Sequence, residues 1–396
     1  MKKLVGPVVA VVVLAALITV AGAVLGRPSG PRAAATAVAP PQDPLVVAVA
    51  AAQRRLAEVP GDWPTWARLG LAYVERARVT ADPAYYPKAE GALRESLRLR
   101  PDGNADALTG LGALANARHD FAAARSFAQQ ALRLNGFDAA AYGVLADAHT
   151  QLGEAKQATA AVQKMLDLRP ELPALARAAY DLEQHGRVAD ARDLWLRALD
   201  QAPLDAAYIH TQLGDLAWHT GDRAEACARY AAALDAQPGF PAAQPGLARV
   251  LAADGDADAA LAVWARVTRR TPAPSLLIEY AGELRRVGRY SDADSQFDLA
   301  EAALRLFAAS GGRDDLGEAE LAIARGDADP AVAAARREWS RRTHADVADV
   351  LGWALHLAGD DAAALRYARA AASPGSRDTR YADHLAAIES ALRSPR

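Results

Sequence analysis

Residues able to hold a metal, attack a carbonyl or move a proton occur in this 396-residue chain, but not at the spacings such chemistry requires. The eight histidines, His119, His149, His185, His210, His219, His344, His356 and His384, nowhere form the H-E-x-x-H pattern that sets two ligands on one helix face, although His210 and His219 lie near each other. Asp254, Asp256 and Asp258 imitate the opening of a calcium loop. The imitation fails at Ala259, where the loop needs glycine, and at Ala265, where it needs a bidentate glutamate, so the aspartates read as helix caps at a turn. The single cysteine, Cys227, excludes an intramolecular disulfide and a cysteine zinc cluster, and beside Ala226 it reads as a small buried hydrophobe. There is no Gly-x-Ser-x-Gly elbow and no phosphate-binding glycine loop. No catalytic residue, metal or cofactor is therefore expected, and an enzyme would need a constellation drawn from several distant segments.

The elements that would carry such residues are legible in Ala206 to Pro238. Leu213, Gly214 and Ala217 share a helical face, Gly221-Asp222 break the helix, and Ala226, Tyr230 and Ala233 recur at helical spacing until Pro238. Gly214 and Ala226 fall where the two helices of a hairpin cross, and a larger side chain at either would push the axes apart. The same second-helix residue returns at Ala89, Ala124, Ala158, Ala191, Ala226, Ala260 and Ala293, at intervals of 35, 34, 33, 35, 34 and 33. Its first-helix counterparts, Gly70, Gly112, Ala146, Ala179, Gly214, Ala248 and Ala281, are always glycine or alanine. A bulky residue usually follows each second-helix alanine by four: Leu93, Val162, Trp195, Tyr230, Trp264 or Phe297, with Ala128 the exception.

A period near 34 with closing prolines at Pro101, Pro170, Pro203, Pro238 and Pro272 resembles the tetratricopeptide repeat, and Trp66, Leu69, Gly70 and Tyr73 match its W-x-x-L-G-x-x-Y signature. The resemblance covers residues 61–305, and more weakly the chain to about 370. It implies an all-α solenoid of stacked hairpins forming a right-handed superhelix with a concave groove, and no chemistry.

In that family the groove is lined by positions 2, 5, 9, 12 and 13 of each first helix. Position 5 holds Ala67, Thr109, Gly143, Ala176, Thr211, Pro245 and Ile278; position 9 holds Leu71, Ala113, Asp147, Tyr180, Asp215, Arg249 and Gly282. The members that grip the carboxylate tail of a chaperone carry lysine at the former and asparagine at the latter, so that ligand is disfavoured here. Tyr180, Glu183, Gln184, Tyr208, Asp215, Trp218 and His219 fall on inward positions of the fourth and fifth units. With Asp147 and Arg249 they form the expected partner-binding groove. Aromatic rings beside carboxylates suit a peptide bearing apolar and basic side chains. Tyr180 and Trp218 could equally pack on a neighbouring helix; if they grip a partner instead, alanine at Tyr208 and Trp218 should abolish capture with helicity intact.

Composition sets the limits. Hydrophobic residues make up 52% of the chain but aromatics only 6%, so alanine supplies much of the apolar content and close helix packing follows. A formal net charge of -3 argues against a nucleic-acid or anionic-membrane surface, since both need a basic excess. Residues 1–26 place Lys2 and Lys3 ahead of an uncharged run from Leu4 to Leu25, which as a helix would span about 33 Å, enough to cross a bilayer. Ala21-Gly22-Ala23 offers a cleavage site, so the segment reads either as an anchor or as a removed signal. Residues 27–44 read as a Pro/Ala-rich linker, 45–60 as a capping helix, 61–305 as seven repeats, 306–372 as two degenerate ones and 373–396 as a closing helix and tail. The first unit is eight residues long of the ruler, around Ala77 to Tyr86.

The expected function is a non-enzymatic scaffold that captures a protein or peptide, with its repeats outside a bacterial cytoplasmic membrane, or secreted if the leader is cleaved. Forty arginines against five lysines fit a GC-rich bacterial genome. The alternatives are an envelope assembly factor that holds unfolded export substrates, as in cytochrome c maturation, and a structural oligomer whose groove is filled by residues 373–396.

Overall fold

The computed structural model describes residues 43–373 and 375–393. The apolar run and most of the linker lie outside these residues, and no helix among the described residues is long and apolar enough to cross a membrane. Helix α1 (Pro44–Glu58) is followed by nine hairpins. These are α2 (Trp63–Thr80) with α3 (Tyr85–Leu99), α4 (Ala105–Ala117) with α5 (Phe121–Leu134), α6 (Ala139–Gln151) with α7 (Ala155–Leu168), and α8 (Leu172–Gln184) with α9 (Val188–Gln201). Next come α10 (Ala206–His219) with α11 (Arg223–Ala236), α12 (Ala243–Ala253) with α13 (Ala257–Arg270), and α14 (Pro274–Arg286) with α15 (Tyr290–Ala309). The last two are α16 (Asp315–Arg325) with α17 (Ala328–Trp339) and α18 (Ala345–Leu357) with α19 (Asp361–Ala372), before α20 (Thr379–Arg393). The fold is an all-α solenoid of tetratricopeptide-like hairpins.

Each hairpin is punctuated by the same local chemistry. A left-handed residue ends the first helix, as at Gly153, Gly186, Gly221, Gly255, Gly288, Gly326 and Gly359. An aspartate then opens the second in several units: Asp120, Asp222, Asp256 and Asp360 each accept the N–H three residues on. The helices then cross on their small residues. Ala89, Ala124, Ala191, Ala226, Ala260 and Ala293 are fully buried, as are Ala331 and Ala364 at the same place in the eighth and ninth hairpins. A β-carbon on Gly70 would lie 2.4 Å from Leu93, and one on Gly214 would lie 2.6 Å from the Tyr230 ring.

First helices touch one another along the stack, α2 with α4, α4 with α6, α10 with α12, α14 with α16 and α16 with α18, whereas no comparable contact joins successive second helices. The array therefore curves with its first helices inside. Helix α20 continues it, packing on α18 and α19 as one more first helix would.

The curvature brings distant hairpins together. The loops before α16, α18 and α20 lie across the turns of the second to fifth hairpins. Arg313 N–H donates to the Arg118 carbonyl at 3.0 Å, Thr343 Oγ1 donates to the Leu152 carbonyl at 3.1 Å, and Arg342 donates to the Gln151 side chain. Gly186 packs on Gly375, and Gly221 on Thr379. Two irregularities of the sequence meet at this seam. The extra residues of the first hairpin lengthen α2 and place Tyr86 beside Phe307, which belongs to the extended end of α15; their rings lie 5.9 Å apart, edge to face. His119 stands at φ 60°, where most other hairpins use glycine, with its ring 5.2 Å from Phe307. Such a backbone costs about 1–2 kcal/mol in a non-glycine residue, which the seam packing offsets.

Candidate functional site

The inner face is built from the first helices, and its charged side chains pair mostly across adjacent hairpins. Asp147 on α6 accepts two hydrogen bonds from Arg177 on α8, at 2.8 and 2.7 Å, with both side chains buried. Burial works against the Asp147 charge and outweighs the guanidinium, holding its carboxyl above the usual range. Glu183 on α8 meets His219 Nδ1 on α10 at 2.8 Å. Burial opposes the imidazolium, but the Glu183 carboxylate prevails and lifts His219 to about 9. Arg249 on α12 donates twice to Glu279 on α14, at 2.7 and 2.9 Å. The last step follows the same plan, since Asp346 and Asp349 on α18 hold Arg380 and His384 on α20. Polar pairs thus run along the groove as rungs that set the register of successive hairpins.

Against this frame the expected groove residues divide. Asp147, Glu183, His219 and Arg249 are consumed by neighbouring first helices. Asp215 is different: it accepts from the Tyr230 hydroxyl at 2.8 Å and from Gln212 at 3.2 Å, and no arginine or lysine bonds to it. Burial raises its carboxyl above the usual range in spite of His219 and Arg249. Tyr180 and Gln184 are half-buried, and burial pushes the Tyr180 phenol well up.

Tyr208 and Trp218 are both half-buried, each packed in part on its neighbours. Tyr208 sits edge-on to Trp195 at 5.9 Å and joins the core of α8, α9 and α10, with burial pushing its phenol up to about 12. Trp218 packs against the core formed by Ala217, Ala226 and Tyr230. Removing both rings would cut into two cores, so alanine at these positions cannot separate partner capture from folding. Cys227 is half-buried rather than buried, packed on the same core as Trp218.

Glu320 on α16 is a groove residue the repeat pattern did not reach. Only 4% exposed, its Oε1 has no hydrogen-bond partner. Burial, reinforced by the nearby Asp314 carboxylate, pushes its carboxyl well up. The signal was present: Asp147, Tyr180, Asp215 and Arg249 each stand six residues ahead of a turn glycine, and so does Glu320 ahead of Gly326. The loose spacing after Phe297 hid it. No group of three or more His, Cys, Asp or Glu side chains among the described residues could hold a metal ion.

No family model matches the chain, and no curated protein sequence matches it. Solved structures do. The human IFIT1 dimer with m7Gppp-AAAA superposes with a TM-score of 0.51 at 15% identity, over 83% of this chain and 76% of that one. The same human protein with PPP-AAAA gives 0.51 at 16% identity, over 79% and 73%. Yeast Tom70 aligns over 88% and 85% at 15% identity, with a TM-score of 0.43. At these identities the likeness is one of fold: this chain is similar to helical-repeat solenoids.

Proposed function

We propose that the chain is a non-enzymatic scaffold whose inner face takes an extended or helical segment of a protein partner carrying apolar and basic side chains. One observation carries this reading. Along a groove where acids and bases pair across hairpins, the carboxyls of Asp215 and Glu320 are bonded by no cation. A buried carboxyl that no cation bonds is costly to ionise, and an incoming lysine or arginine would bond to it directly. Half-buried Tyr180 adds apolar surface in the same face. Placement of the repeats outside a bacterial cytoplasmic membrane belongs to the same proposal and rests on the leader-like residues 1–26.

The test is a crosslinking pull-down from native membranes with the full chain, comparing wild type with Asp215→Asn, Glu320→Gln. Both substitutions keep the side-chain shape and remove only the ability to become anionic when a cation arrives, so folding is spared. A discrete protein captured by wild type and lost from the double variant is the expected result. Equal capture by both, or capture of denatured clients only, overturns the assignment, the second outcome in favour of an envelope factor that holds unfolded substrates.

A further inference from the structure

The seam shows how one edge of this solenoid recognises another. On the turn edge, an aromatic stands three residues before the second-helix alanine: Tyr86 before Ala89 and Phe121 before Ala124. On the loop edge, Phe307 lies against Tyr86, and the Arg342 guanidinium lies 5.1 Å from the centre of the Phe121 ring. Around these contacts the turn glycines are covered. A β-carbon on Gly153 would come within 2.5 Å of Thr343, and one on Gly186 within 2.1 Å of the Gly375 carbonyl.

The same features recur beyond the seam with nothing against them. Tyr290 stands three residues before Ala293, equivalent to Tyr86 and Phe121, and is 65% exposed. The neighbouring turn glycines Gly255, Gly288 and Gly326 have no atom within 4 Å of where a β-carbon would stand. On the opposite edge, Phe137 and Leu204 each lie thirteen residues after their second-helix alanines, one position short of the place Phe307 holds after Ala293, and are 82% and 99% exposed. Arg269-Arg270-Thr271 precede α14 as Arg341-Arg342-Thr343 precede α18, and both arginines are exposed. The free turn edge carries Asp254, Asp256, Asp327 and Asp360 at the surface, with the exposed Arg286 and Arg289 beside Tyr290. The free loop edge is of mixed charge, exposing Arg133, Arg169, Arg269 and Arg270 beside Asp167, Glu171, Asp200, Asp205 and Asp235.

We infer that a second copy of this chain docks on these edges head to tail, the free turn edge around Tyr290 receiving the free loop edge around Phe137 and Leu204 of the next copy. The contact continues the intrachain seam. Later loops lie on earlier turns within one chain, and the next chain extends that order. The two surfaces differ, so the contact is heterologous and generates an extending coil rather than a closed dimer. Aromatic rings and guanidinium groups, which make the intrachain seam, are suited to such a contact.

The experiment uses the full chain in mild detergent, with masses read by native mass spectrometry. Phe137→Glu, Leu204→Glu blocks the loop edge; Tyr290→Glu blocks the turn edge. All three side chains are exposed, so circular dichroism should match wild type. Wild type should give a ladder of masses lengthening with concentration, each variant alone the single-copy mass, and an equimolar mixture of the two variants a two-copy species and nothing larger. That last result is specific to a heterologous contact. A wild type that stays single at every concentration, a variant that still associates, or a mixture without the two-copy species overturns the proposal.

Discussion

The ring of Tyr230 fills the space that a β-carbon on Gly246 would need, with its Cζ only 2.2 Å from that point. The residue on α11 is thus clamped between glycines of two successive first helices, Gly214 on α10 and Gly246 on α12, and its hydroxyl is tied to Asp215. Gly246→Ala should destabilise the chain by about 1–3 kcal/mol, since the buried ring has nowhere to move. Combining it with Tyr230→Leu should recover part of that loss. Chemical denaturation of the two variants checks it, and additive losses would show that the ring is not the obstacle.

His219 makes stability depend on pH. Its folded value of about 9 lies above the ordinary 6.5, so the stabilisation is complete below pH 6.5 and is lost as pH rises through 9. The ceiling is roughly 3 kcal/mol, from about 1.4 kcal/mol per unit. Glu183→Gln should flatten this part of the profile, measured as the difference between wild-type and variant unfolding free energies across that window. Parallel profiles would show that the pair does not carry the effect.

The rung between Asp147 and Arg177 tests whether inner-face pairs stabilise or specify. Asp147→Leu alone leaves a buried guanidinium without its counter-ion and should cost roughly 3–5 kcal/mol. Asp147→Leu with Arg177→Met should cost far less, because an apolar pair of similar size needs no compensation. Thermal unfolding of the two variants decides; equal losses would mean that the pair itself is the source of stability.

The seam can be weighed separately from turn geometry. Gly186→Ala and Gly288→Ala impose the same left-handed strain, at φ 71° and 81°, of about 1–2 kcal/mol. Only the first also meets the Gly375 carbonyl. Gly186→Ala should therefore lower the melting temperature more than Gly288→Ala, and equal shifts would mean that the seam does not hold in solution.

How much of this was legible follows from how each feature is encoded. The hairpins were, because Ala226 and its equivalents must be small wherever two helices cross and so repeat at a fixed interval. The groove positions were legible as far as that interval held, which is why Asp215 was found and Glu320 was not. What a single sequence could not give was pairing across hairpins: nothing near Asp147 announces Arg177, thirty residues away. Nor could local pattern show that Tyr208 faces Trp195, since an inward position on the helix leaves the rotamer and the neighbour open.

The meeting of Tyr86 with Phe307 has a consequence for how this chain can fold and vary. A simple repeat array gains stability from nearest neighbours alone, so units can be added or lost at modest cost and the ends can fray independently. Here the lengthened first hairpin and the lengthened seventh are complementary parts, set a fixed number of units apart. Deleting or duplicating any hairpin between them would carry Phe307 past its site. Contacts of such high contact order also make folding slower and more nearly all-or-none than in a linear stack. The number of hairpins between these two is therefore a structural constant of this molecule, fixed by the circumference of its coil.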